Sequence, residues 1–192
     1  KYIKYFFQFL LSIIFFLLFK FLGASLSSKL SGKIFEKIGP YFRSKQLIQK
    51  NIKKALPNIN NEDLNKITKL MWNNYGRIFA EYMFIKDFRN DPKISKKINI
   101  QNKEILEKIK NNSEPVIFIS GHFSNFEFMA MQIEKCGIDL AAIYRPLNNF
   151  FLNPIMERIR RKYICKNQIQ KGVSGMKNLV KKFKNGTSIA LM

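Results

Sequence analysis

With 192 residues the chain is long enough to bury one sizeable core. Its 34 Lys and Arg against 13 Asp and Glu leave a net charge of +21, which suits an anionic partner: nucleic acid, anionic lipid or an acidic protein. Lys, Asn, Ile and Phe are all abundant, as an AT-rich genome would produce, so charge does not choose among these. Two cysteines, Cys136 and Cys165, and a single histidine, His122, exclude a disulfide framework and a histidine-rich zinc site. The thiols read as buried or idle in a reducing compartment.

The first element is an apolar run from Tyr5 to Leu22, broken only by Gln8, Ser12 and Lys20. About 18 helical residues reach roughly 27 Å, enough to cross a hydrocarbon layer with Lys20 reaching to the interface. A signal peptide, a buried core helix and a helix lying in the interface are the competing readings. Length and flanks favour a membrane anchor over residues 1–22. Lys20, Lys29, Lys33 and Lys37 follow it, which places the remainder on the cytoplasmic side.

Residues 23–112 read as helical. Leu30, Ile34 and Ile38 recur at a spacing of four before a break at Gly39-Pro40. A helix over Gln46–Leu56 ends at Pro57, and a long amphipathic one over Asn60–Asp87 starts near Asn61-Glu62-Asp63. Trp72, Tyr75, Phe79 and Tyr82 lie on one stripe of it and are expected in the core. A short helix over Asn102–Asn111 follows.

From residue 113 the pattern alternates. Strands are predicted at Val116–Ile119, Leu140–Tyr144, Asn167–Gln170 and Ser188–Met192. Helices are predicted at Asn125–Cys136, Pro154–Cys165 and Val173–Lys184. The order indicates an α/β fold with a largely parallel sheet flanked by helices, incomplete at its carboxyl end because the chain stops within an apolar run. In such sheets chemistry gathers where strands end. Gly121-His122, Tyr144-Arg145-Pro146 and Lys171-Gly172 all follow strands.

His122-Phe123-Ser124-Asn125-Phe126-Glu127 concentrates the chemistry. An imidazole above a strand end, with a carboxylate one helical turn on, can take a proton from a hydroxyl at neutral pH. Ser124 and Glu127 also make a capping box, the serine capping a helix and the glutamate reaching back. The two readings are compatible, because a capped start would hold Glu127 near His122. Arg145 is either a surface arginine or a clamp for a phosphate or oxyanion.

These residues resemble the bacterial lipid A biosynthesis acyltransferases of the lauroyl/myristoyl type. His122 and Glu127 match the family's His-x4-Glu motif, Tyr144-Arg145-Pro146 with Asn149 its Tyr-Arg-Pro segment, and Lys171-Gly172 its next block. Phe126 stands where many members have tryptophan, and the family's Asp-Gln pair follows the strand at which this chain stops. The resemblance implies a glycerolphosphate-acyltransferase-like core and acyl transfer from an acyl-carrier-protein thioester to a hydroxyl of a phosphorylated glycolipid, at the inner membrane. It implies His122 as general base, Glu127 orienting it, and substrate contacts from Asn125, Arg145, Asn149 and Lys171, with no metal or bound cofactor. Acylation of a glycerophospholipid or another glycolipid is the nearest alternative. A basic membrane-anchored binding protein without catalysis, including one for nucleic acid, is the alternative from another class.

Overall fold

A computed structural model describes residues 1–112 and 114–191. They divide into two compact units: Ile13–Phe84, and Lys1–Ser12 together with the residues from Ile85 onward.

The first helix, α1, runs over Tyr2–Ile38, well past the expected end at Leu22. Its one irregularity is Gly23, at φ 72 and ψ 163, a conformation open to glycine at little steric cost. The break strands the Phe19 carbonyl, and the Ser27 hydroxyl, buried, donates to it at 2.8 Å. Tyr2–Tyr41 contains a window long and apolar enough to cross a membrane, with mean hydropathy 2.3.

Within the unit Ile13–Phe84, helices α2 (Lys45–Ala55) and α3 (Asn61–Glu81) join the later part of α1. Ser44 caps α2 and Asn60 caps α3, whose first turn carries Glu62 and Asp63 against the helix dipole. The buried column of α3 is Leu64, Thr68, Trp72, Gly76 and Ala80, at a spacing of four. Gly76 belongs to it because a Cβ there would strike the Ser31 carbonyl of α1. Phe79 stacks between Phe16 and Phe35, with centroids at 5.0 and 5.6 Å. Trp72 and Tyr82 are buried as expected, but Tyr75 is 54% exposed. The small residues let the α1 backbone close in along one line, and Tyr75 is left beside that line. The helix expected to reach Asp87 stops at Glu81, turns through a 3-10 segment (Tyr82–Phe84) and resumes as α4 (Ile85–Asn90).

The second unit contains α4, α5 (Pro92–Ser95), α6 (Lys103–Asn112) and a sheet. Its strands are β1 (Ile117–Ile119), β2 (Leu140–Tyr144), β3 (Asn167–Gln170) and β4 (Ser188–Leu191). All pair in parallel in the order β1-β4-β2-β3. Between them run α7 (Glu127–Lys135), α8 (Asn153–Ile159) and α9 (Val173–Lys184). This is the expected α/β architecture with a parallel sheet and flanking helices. Ala141, Ile169 and Ile189 present one face of the sheet to Leu179 and Phe183 of α9. Gly175 admits that helix, since a Cβ would run into the Gln170 carbonyl. Ala130, Met131 and Ile133 of α7 are buried as well. Arg89 of α4 pairs with Glu134 of α7 at 2.6 Å.

Two expected boundaries change for physical reasons. The helix expected over Pro154–Cys165 is regular only to Ile159. Arg160–Ile164 then form a π-helical turn, closed by the Cys165 amide donating to the Arg160 carbonyl at 2.9 Å. The helix expected from Asn125 begins at Glu127. Of the strand predicted over Ser188–Met192, Met192 lies outside the described residues.

Candidate active site

Because every strand runs the same way, the carboxyl ends of β1, β2 and β3 lie along one edge of the sheet. His122 follows β1, Arg145 follows β2 and Lys171 follows β3, all with exposed side chains. Arg145 and Lys171 are on adjacent strand ends, joined by the Lys171 amide donating to the Tyr144 carbonyl at 2.8 Å. β4 separates β1 from β2. At the usual strand spacing the His122 and Arg145 strand ends are thus about 10 Å apart.

The segment between His122 and Glu127 is not the expected capping box. Ser124 is left-handed at φ 44, the residue preceding α7 is Phe126, and no side chain caps that helix. The amides at Ser124 are therefore not a helix N-terminus. Glu127 opens α7, where the helix dipole favours a carboxylate. It is 4% exposed, and Asn125 beside it is also buried.

Arg160 is what accompanies that carboxylate into the interior. Its Nη2 and Nε donate to Glu127 Oε1 at 2.7 and 2.9 Å. The side chains are 13% and 5% exposed, so this is a buried ion pair. The described contact of the His122 ring is with Phe126, at a centroid distance of 4.5 Å. The structure thus ties Glu127 to Arg160 and leaves the imidazole open at the sheet edge.

Arg160 also lies over the Tyr144 ring, 5.7 Å from its centroid. The Tyr144 hydroxyl donates to Glu157 Oε1 at 2.7 Å, and Asn153 Nδ2 donates to the same oxygen at 2.9 Å. Burial, then the bond to Glu157, raises the Tyr144 pKa. The bonds from Tyr144 and Asn153 lower that of Glu157. Sequence reasoning missed this network. Its signal was the run Arg160-Arg161-Lys162, whose side chains fan over about 200° of the helix, so that one of them can turn to the protein side. Arg160, three residues after Glu157, is the one turned inward.

Asn149 is buried and fully engaged by the fold. Its Oδ1 accepts from the Phe151 and Leu152 amides at 3.0 and 3.3 Å, and its Nδ2 donates to the Tyr5 carbonyl at 2.9 Å. Cys165 is buried, with its thiol donating to the Leu140 carbonyl at 2.9 Å. Burial pushes its pKa up to about 12, so thiolate is scarce at neutral pH.

The bacterial lipid A biosynthesis acyltransferase family matches residues 1–192. The chain belongs to that family. No curated protein matches it. Membership makes this lipid A acyltransferase an enzyme of acyl transfer in lipid A biosynthesis, with an acyl donor and a glycolipid acceptor.

Proposed function

We propose that the enzyme transfers a fatty acyl chain from an acyl-carrier-protein thioester to a hydroxyl of a lipid A precursor, with His122 as general base. The observation that carries the reading is a solvent-open imidazole at a parallel-strand end, five residues before a buried carboxylate. The acceptor hydroxyl gives its proton to His122 as its oxygen attacks the thioester carbonyl. The tetrahedral intermediate then collapses, the carbon–sulfur bond breaks, and the proton passes to the departing thiolate. Arg145 and backbone amides of the turn after His122 stabilise the oxyanion. The carboxylate of Glu127 is held by Arg160, so its proposed role is to act on the His122 imidazolium by its charge from behind, without the direct bond of a serine-hydrolase triad. No protein nucleophile is required, and Cys165 is unsuited to be one. Lys171 and Arg145 supply charge for a phosphorylated acceptor, and Asn125 and Asn149 shape the site from beneath. The basic surface suits an acidic carrier protein and anionic lipid at the cytoplasmic face of the inner membrane. The anchor over 1–22, the helical part over 23–112 and the α/β core from 113 are the proposed division of labour.

The test is the mass of the product formed from acyl carrier protein thioesters and candidate lipid acceptors. An acylated lipid A precursor is expected. Acylation of a glycerophospholipid alone would replace the acceptor assignment, and undiminished transfer by a His122→Ala variant would end the general-base role.

A further inference from the structure

Charge is spread unevenly along the α/β unit. All 13 Asp and Glu lie at or before Glu157, so the stretch from Arg158 to Leu191 is basic without a single carboxylate side chain. Helix α9 turns part of this charge outward. Gly175 and Leu179 mark its buried side. On the other side, Val173, Met176 and Val180 recur at spacings of three and four, and Lys177, Lys181 and Lys184 form a second stripe beside them. The two stripes fall within an arc of about 140°. The apolar three are 78%, 48% and 48% exposed, and the three lysines are exposed as well.

The two faces of the sheet meet different neighbours. Ala141 lies on the face that packs against α9. Tyr144, three residues on and hence on the opposite face, bonds Glu157 of α8 at 2.7 Å. Helices α8 and α9 therefore cover opposite faces. The apolar segment Lys1–Ser12, part of the same unit, meets the start of α8: Tyr5 and Phe9 contact Phe150 and Phe151, and Asn149 holds the Tyr5 carbonyl. We infer that the exposed face of α9 is the docking surface for the acidic carrier protein that delivers the acyl thioester. The inference rests on the donor proposed above and adds where that donor binds. A lysine stripe beside an apolar one fits an acidic partner that also buries apolar surface. It fits a soluble partner, because the segment best suited to lipid is held at the start of α8, not at α9. Helix α9 leads from the end of β3, three strand spacings or about 14 Å along the edge from the β1 end that carries His122. A thioester borne on a long flexible arm can cover that separation while its carrier stays on α9.

Fluorescence anisotropy with labelled acyl carrier protein reads the binding directly, and KM values for acyl-carrier-protein and acyl-pantetheine thioesters of one chain length read its use. Lys177→Glu with Lys181→Glu is expected to weaken carrier binding, and to raise KM for the carrier thioester, at least about 10-fold at low salt. Added salt should narrow the gap between parent and variant. Transfer from the acyl-pantetheine thioester should be unchanged. The same two-charge change on α6, Lys103→Glu with Lys108→Glu, should weaken carrier binding much less. All four lysines are exposed, and an unchanged thermal melt verifies folding. Equal losses from the two pairs, or undiminished carrier binding by the α9 pair, overturn the docking face and leave the carrier as donor. Undiminished carrier binding with reduced partitioning onto phosphatidylglycerol vesicles also overturns it, and assigns the face to a membrane. A parent enzyme that binds no carrier and uses both thioesters equally ends the carrier reading itself, and the docking face with it.

Discussion

The two units place their charges differently. In Ile13–Phe84, the ion pair between Lys69 and Glu36 lies at the rim, with Lys69 68% exposed, and the interior is built from aromatic rings and small residues. In the α/β unit, a buried carboxylate is paired with a guanidinium largely withdrawn from water, at 5% and 13% exposure. Buried ion pairs are poor sources of stability, because desolvation offsets their attraction. A fold that needed only stability would have apolar side chains at Glu127 and Arg160. The task proposed for Glu127 would give such a pair a use.

That contrast is open to breaking. The largest effect is expected from His122→Ala, a loss of about 10²- to 10⁴-fold in acyl transfer with stability unchanged, measured by turnover and thermal melting. Arg160→Ala should be nearly as severe in a different currency. It strips the buried Glu127 of its guanidinium partner and should cost about 3–5 kcal/mol in denaturant unfolding. A loss below about 1 kcal/mol would show the pair to be no more than a rim contact. Glu127→Gln keeps shape and hydrogen-bonding capacity, so activity should fall by about 100-fold while folding persists. Normal turnover in that variant would reduce Glu127 to a structural residue. In the helical unit, Gly76→Ala should cost about 1–3 kcal/mol through the clash with Ser31, without a direct effect on chemistry. Lys69→Met, at the exposed rim, should change stability by less than about 1 kcal/mol.

The smallest expected effect is on pH dependence. The lowered Glu157 pKa means that its contribution is present above the ordinary value of 4.5 and is lost as pH falls through the folded value. The raised Tyr144 pKa means that its contribution is present below 10.0 and is lost as pH rises through the folded value. The stability gap between the parent and a Tyr144→Phe variant should therefore be widest between these limits and narrow on both sides. A gap flat from acid to alkali would place the Tyr144–Glu157 bond outside the folding balance.

The alternation of apolar runs and amphipathic stretches was sufficient to derive the parallel α/β core, because strand and helix periods are local properties of side-chain spacing. The same locality placed Gly121-His122, Arg145 and Lys171 after strands, hence on one edge. It could not decide strand order, which puts β4 between the ends carrying His122 and Arg145. Nor could it choose the partner of Glu127. Ser124, three residues away, was the local candidate, but the chain turns left-handed there, and Arg160, distant in sequence, arrives through a π-helical turn. The apolar run of α1 was plain from composition, since hydrophobicity needs no neighbours to be read. The contacts of its first turns depend on Asn149, Phe150 and Phe151, which only the folded chain brings to it.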